Sequence, residues 1–168
     1  MNEQLQQVAR IGDLLRERGW TMGTAESCTG GMVGHLITEL SGSSDFFLGG
    51  IIAYANEIKR DALGVPEELL IAHGAVSEPV ALAMAQGVRR VLNVDVGVSV
   101  TGIAGPTGGT DQKPVGTVYI AASSPAGDAV RHYVWDRDRA GNKRLSAQAA
   151  LDLVEVLLAG SLASEGGV

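Results

Sequence analysis

A chain of 168 residues, 45% of them apolar, is long enough to bury one real core. Its net charge of −6 disfavours nucleic-acid binding through charge alone, and its single cysteine excludes an internal disulfide and suits a reducing cytoplasm. No apolar run is long enough to cross a bilayer, and the charged, amphipathic N-terminus lacks the pattern of a signal peptide.

Leu5, Val8, Ile11, Leu14 and Leu15 recur at helical spacing, which predicts a helix over 3–18 ended by Gly19. Residues 21–26 read as a strand. Met32, Val33, Leu36, Ile37 and Leu40 line one face of a second helix that opens near Thr29. Residues 46–55 read as a strand and 56–63 as a short helix or turn, and Pro66 suits the first turn of another helix. Ser77-Glu78-Pro79 supplies a hydroxyl cap, a carboxylate and a first-turn proline, starting a helix buried through Val80, Ala81, Met84, Val88, Val91 and Leu92. A third strand is expected over 94–101. Strands 115–123 and 129–135 meet at a turn, SPAGD, as a hairpin. A helix over 140–159 closes the chain, with the tail SEGGV frayed. This order predicts a single three-layer α/β/α domain over 1–168, core 5–159, with a mixed, mostly parallel sheet of about five strands.

Ligands in such sheets sit at the carboxyl ends of the strands, where three polar turns fall: ESCTGG, YANEIK and TGIAGPTGG. In the first, Ser27 is either a helix cap or a nucleophile, with the amides of Thr29, Gly30 and Gly31 as candidate oxyanion donors. Cys28 is the rival nucleophile, although alternation turns it away from the side Ser27 faces. A serine needs a base, and none of His35, His73 and His132 has the context of one. Lys59 is the other option, neutral if desolvated; a helical turn sets it on the same face as Asn56. Left solvated beside Glu57 and Arg60, it is an ordinary surface charge.

The third turn runs from Thr101 through Gly102 and Gly105 to Lys113. It is neither a Walker A nor a dinucleotide fingerprint; its amides suit an anion, and a plain surface loop is the other reading. Arg137, Arg139, Lys143 and Arg144 crowd the start of the last helix, where cations oppose the helix dipole; either an anionic ligand or pairing with Asp136 and Asp138 accounts for them. No His/Asp/Glu cluster suggests a metal, and no cofactor is expected.

Taken in order, AESCTGG, GIIAYANEIK, LGV, HGAVSEPVA, VTGIAGPTGGT and KPVGTVY resemble the CinA C-terminal domain family, the PncC-type nicotinamide-nucleotide amidohydrolases, in its stand-alone form. The resemblance implies hydrolysis of nicotinamide mononucleotide to nicotinate mononucleotide and ammonia by a serine–lysine dyad, here Ser27 and Lys59. Tyr54, Asn56, Thr101 and the glycine loop match further site motifs, and Lys113, Arg139, Lys143 and Arg144 are candidates for the phosphate. The family usually has serine where this chain has Ala55, and arginine where it has Lys143, a weaker bidentate partner. A nucleotide-binding or regulatory module without turnover is therefore the rival expectation. The Gly/Ala-rich helices suit packing on a second copy, and a homodimer is the expected assembly.

Overall fold

The computed structural model describes the backbone of residues 1–165 and the side chains of 1–160; of the tail expected to fray, 164–168, the backbone of 164–165 continues the last helix past its expected end at 159, and 166–168 lie outside the described residues. The chain runs α1 (Glu3–Arg18), β1 (Met22–Glu26), α2 (Met32–Thr38), a 3-10 turn at Ser43–Asp45, β2 (Phe47–Ile52), α3 (Asn56–Leu63), α4 (Glu67–His73) and α5 (Glu78–Leu92). It continues through β3 (Val96–Gly102), β4 (Thr117–Ser124), β5 (Gly127–Val134) and α6 (Arg139–Glu165).

The sheet order is β2-β1-β3-β4-β5. β1 pairs in parallel with β2 and β3, β4 runs antiparallel to β3, and β5 reverses again. Four strands therefore share one direction and β4 opposes them. Helices α1, α2 and α6 cover one face, closing a core of Val8, Ile11, Met22, Val98, Ile120 and Leu151. α5, flanked by α3 and α4, covers the other, over Ala25, Leu63, Val80, Met84 and Val88. Burying each such aliphatic side chain contributes about 1.5–3 kcal/mol. Gly97 lets α5 lie directly on β3: a Cβ there would overlap the Ala85 carbonyl.

Boundaries differ from the sequence expectation where backbone geometry intervenes. α2 begins at Met32, not near Thr29, because Gly30 and Gly31 take left-handed φ of 62° and 103°. β2 ends at Ile52, three residues early, although the Ala53 amide still reaches the Glu26 carbonyl at 2.8 Å. α6 starts at Arg139 because Asp138 caps it, its Oδ1 accepting from the Gly141 amide at 2.8 Å. The hairpin is tighter than expected, with Ser124 paired to Gly127.

α3 has the extended entry of a capped helix at Ala55 (φ −83°, ψ 153°) but no side chain to accept its first amides. Ala55→Ser is expected to raise stability by about 0.5–2 kcal/mol. Thermal unfolding of the variant checks this, an unchanged or lower midpoint counting against it.

Candidate active site

β1 carries Ser27 to the carboxyl edge of the sheet. The Ser27 amide donates to the Val100 carbonyl at 2.9 Å, and its own carbonyl accepts from the Gly30 amide at 3.1 Å. The turn is thus pinned through the main chain, leaving the hydroxyl for other work. Glu26 does the rest of the pinning. Its carboxylate, 2% exposed, accepts from the Thr29 hydroxyl at 2.6 Å and from the amides of Val33 at 2.9 Å and Gly34 at 3.1 Å. Those amides are the otherwise unsatisfied donors of α2.

Two consequences follow. The N-terminus of α2 is already occupied by Glu26, so it is not an open anion site. The Gly30 amide is committed within the turn, so it is not a free oxyanion donor. The amides of Thr29 and Gly31 have no acceptor among the described residues.

Lys59, on α3, reaches under the turn and is 1% exposed. Its Nζ lies 3.0 Å from Ser27 Oγ, 2.8 Å from the Ala53 carbonyl and 3.1 Å from the Tyr54 carbonyl. It forms no ion pair among the described residues. Burial holds the amine below the ordinary lysine range, with Cys28 acting weakly the other way. A neutral amine suits these three neighbours: two N–H bonds serve the carbonyls and the lone pair faces the serine hydroxyl.

Cys28 belongs to the buried core cluster and also borders the cleft at Ser27, and burial raises its thiol to about 11. None of the histidines lines this cleft. His35 faces Glu39 at 3.7 Å, His73 ends α4 and His132 stacks on Tyr119.

Around Ser27 lies a cleft of about 200 Å³, lined by Tyr54, Asn56, Lys59, Thr101, Gly102 and Arg139 among others. The Thr101 hydroxyl donates to the Ala75 carbonyl at 2.9 Å, while the Asn56 side chain has no hydrogen-bond partner among the described residues. The cleft shares Ala104 and Arg139 with a larger hollow of about 730 Å³. That hollow has an apolar floor of Met32, Pro106 and Val115 under Arg139, Lys143 and Arg144. Arg137 pairs with Asp136 at 3.7 Å, but the other three cations have no carboxylate partner among the described residues. Lys143 reaches toward the Ser27 turn, its Nζ 3.8 Å from where a Cβ on Gly30 would stand.

Lys113 is placed differently from the sequence expectation. Its Nζ donates to the His73 carbonyl at 2.6 Å, where the carbonyl end of α4 attracts a cation, and it lines neither hollow. Gly105 enters through its backbone: its carbonyl accepts from Arg139 Nη1 at 2.8 Å. The structural work of Glu26 was missed in the sequence. A carboxylate just before a glycine turn and a helix is the signal that could have found it.

The sequence model of the CinA C-terminal domain matches residues 4–158. A CinA-like protein of Salinibacter ruber is 53% identical over 144 residues, covering 86% of this chain and 35% of that protein. One from Synechococcus sp. is 54% identical over 146 residues, with the same coverage, 86% and 35%. The chain spans about a third of the length of these curated relatives. A CinA superfamily protein from Klebsiella pneumoniae superposes with a TM-score of 0.89 at 29% identity, covering 95% of this chain and 99% of the other. The competence/damage inducible protein of Agrobacterium tumefaciens gives 0.86 at 38%, covering 94% and 96%. Among the described residues no helix is long and apolar enough to cross a membrane.

Proposed function

The chain belongs to the CinA C-terminal domain family, and from that membership and the geometry around Ser27 we propose that it is an amidohydrolase converting nicotinamide mononucleotide to nicotinate mononucleotide and ammonia. The observation that carries this reading is a buried lysine amine with no ionic partner among the described residues, 3.0 Å from a serine hydroxyl at the edge of the sheet. A lysine of structural purpose alone would be expected to pair with a carboxylate.

In the proposed reaction Lys59 Nζ takes the hydroxyl proton as Ser27 Oγ attacks the carboxamide carbon. The tetrahedral oxyanion is held by the amides of Thr29 and Gly31. Lys59 returns the proton to the departing nitrogen, which leaves as ammonia, and an ester remains on Ser27. Water then attacks the ester carbon and gives a proton to Lys59. Collapse releases the carboxylate and restores the serine hydroxyl. Asn56, with its amide unpaired, orients the substrate carboxamide, and Thr101 borders the same space. Arg139, Lys143 and Arg144 receive the phosphate in the larger hollow, and the pyridine and ribose lie between.

A second reading, a nucleotide-binding module without turnover, draws on Ala55, which leaves α3 without a side-chain cap, and on Lys143, a point charge where a fork is usual. Incubation with nicotinamide mononucleotide and separation of the products distinguishes the two. Nicotinate mononucleotide and ammonia in equal amounts are expected. Ligand that binds and is recovered intact would establish the second reading instead.

A further inference from the structure

One residue touches both ends of the proposed site. The Tyr54 hydroxyl accepts from Arg139 Nη2 at 3.3 Å, and the Tyr54 main-chain carbonyl accepts from Lys59 Nζ at 3.1 Å. Arg139 lines both hollows and is anchored by Nη1 on the Gly105 carbonyl. A continuous path thus runs from the cationic hollow, through one tyrosine, to the amine beside Ser27.

We propose that Tyr54 is a positioning residue that transmits occupancy of the cationic hollow to Lys59, so that the substrate's phosphate raises turnover as well as affinity. This role rests on the amidohydrolase reading of the site. Tyr54 lies between the end of β2 and the start of α3, and the residue is 64% exposed. So little packing leaves the Arg139 bond as the main restraint on the ring. Arg139 has five N–H donors in a fixed fork, so a phosphate can engage it while Gly105 and Tyr54 stay bound. Fixing Arg139 fixes Tyr54, and with it the carbonyl that orients the amine. The amine has little slack: with two N–H bonds on the Ala53 and Tyr54 carbonyls, tilting either swings the lone pair off Ser27. A displacement of about 1 Å in such a geometry costs about a hundredfold in rate.

The test delivers the substrate in two pieces. Ammonia release is measured with nicotinamide mononucleotide, with nicotinamide riboside, and with the riboside plus inorganic phosphate, resolving kcat from KM. In the wild-type protein kcat on the riboside is expected to fall by about tenfold or more, and added phosphate to restore much of it. In Tyr54→Phe, which removes only the hydroxyl, phosphate is expected to stimulate riboside turnover by less than about twofold. Thermal unfolding verifies that the variant is folded. Riboside with an unchanged kcat and only a raised KM overturns the coupling, as does phosphate stimulating Tyr54→Phe as fully as wild type. No ammonia from the mononucleotide itself overturns the amidohydrolase reading, a separate result from either of these.

Discussion

Ser27→Ala is expected to lower the rate of ammonia release from nicotinamide mononucleotide on the order of a million-fold, the scale on which a hydrolase loses its serine nucleophile. The fold is expected to survive. The turn at Ser27 is held by its amide on Val100, its carbonyl on Gly30 and the carboxylate of Glu26, none of which involves the hydroxyl. Among the described residues the side chain's one hydrogen bond is to Lys59. Its loss is expected to change stability by about 1 kcal/mol. Circular dichroism and thermal unfolding on the assayed sample separate lost chemistry from lost structure. Cys28→Ala is the paired control. With the thiol buried in the core and raised to about 11, it is expected to keep the rate within several-fold. The reverse pattern would transfer the nucleophile to Cys28.

Lys59→Met keeps the length of the buried stem and removes the amine. Ammonia release is expected to fall by about a hundred- to ten-thousandfold, the usual contribution of a general base. The wild-type rate should rise with pH through an apparent pKa below the ordinary lysine value of 10.5, because only the neutral amine can accept the serine proton. Stability is linked to the same titration. The folded-state pKa of Lys59 is depressed, so between that value and 10.5 the unfolded chain binds more protons than the folded one. Wild-type stability is therefore expected to rise with pH across that window, as the cost of burying a charged amine is relieved. Lys59→Met should lose this rise. Chemical denaturation at several pH values reads it directly, and equal slopes in the two proteins would mean that Lys59 titrates as an ordinary lysine.

Much of the architecture was legible because each element carries its own punctuation. Gly19 ends α1 as expected, and Ser77-Glu78-Pro79 announces α5, although the Ser77 hydroxyl donates to the Gly74 carbonyl instead of capping the helix. The alternation of strands and helices predicted the three layers, and the late hairpin predicted the mixed sheet. What local pattern could not supply was long-range partnership. A carboxylate just before a glycine turn hints at a cap, but which amides of α2 it closes depends on the Gly30–Gly31 turn folding the chain back over it. Lys113 reads as a loop cation, and only the tertiary fold brings it to the carbonyl end of α4, 40 residues away. Ser27 and Lys59 are 32 residues apart, and pattern alone left a cap and a surface charge as fair readings of them. The ordered family motifs directed attention to the pair. The sheet brings them within 3.0 Å, since parallel β1 and β2 deliver both turns to one edge.

The most direct measurement is ammonia release from nicotinamide mononucleotide by the purified wild-type protein, beside Ser27→Ala and Lys59→Met at equal concentrations of folded protein. Steady release by the wild type, with loss in both variants, is the predicted result. Release that persists in either variant, or a wild-type protein that binds the nucleotide and frees no ammonia, would contradict a serine–lysine amidohydrolase.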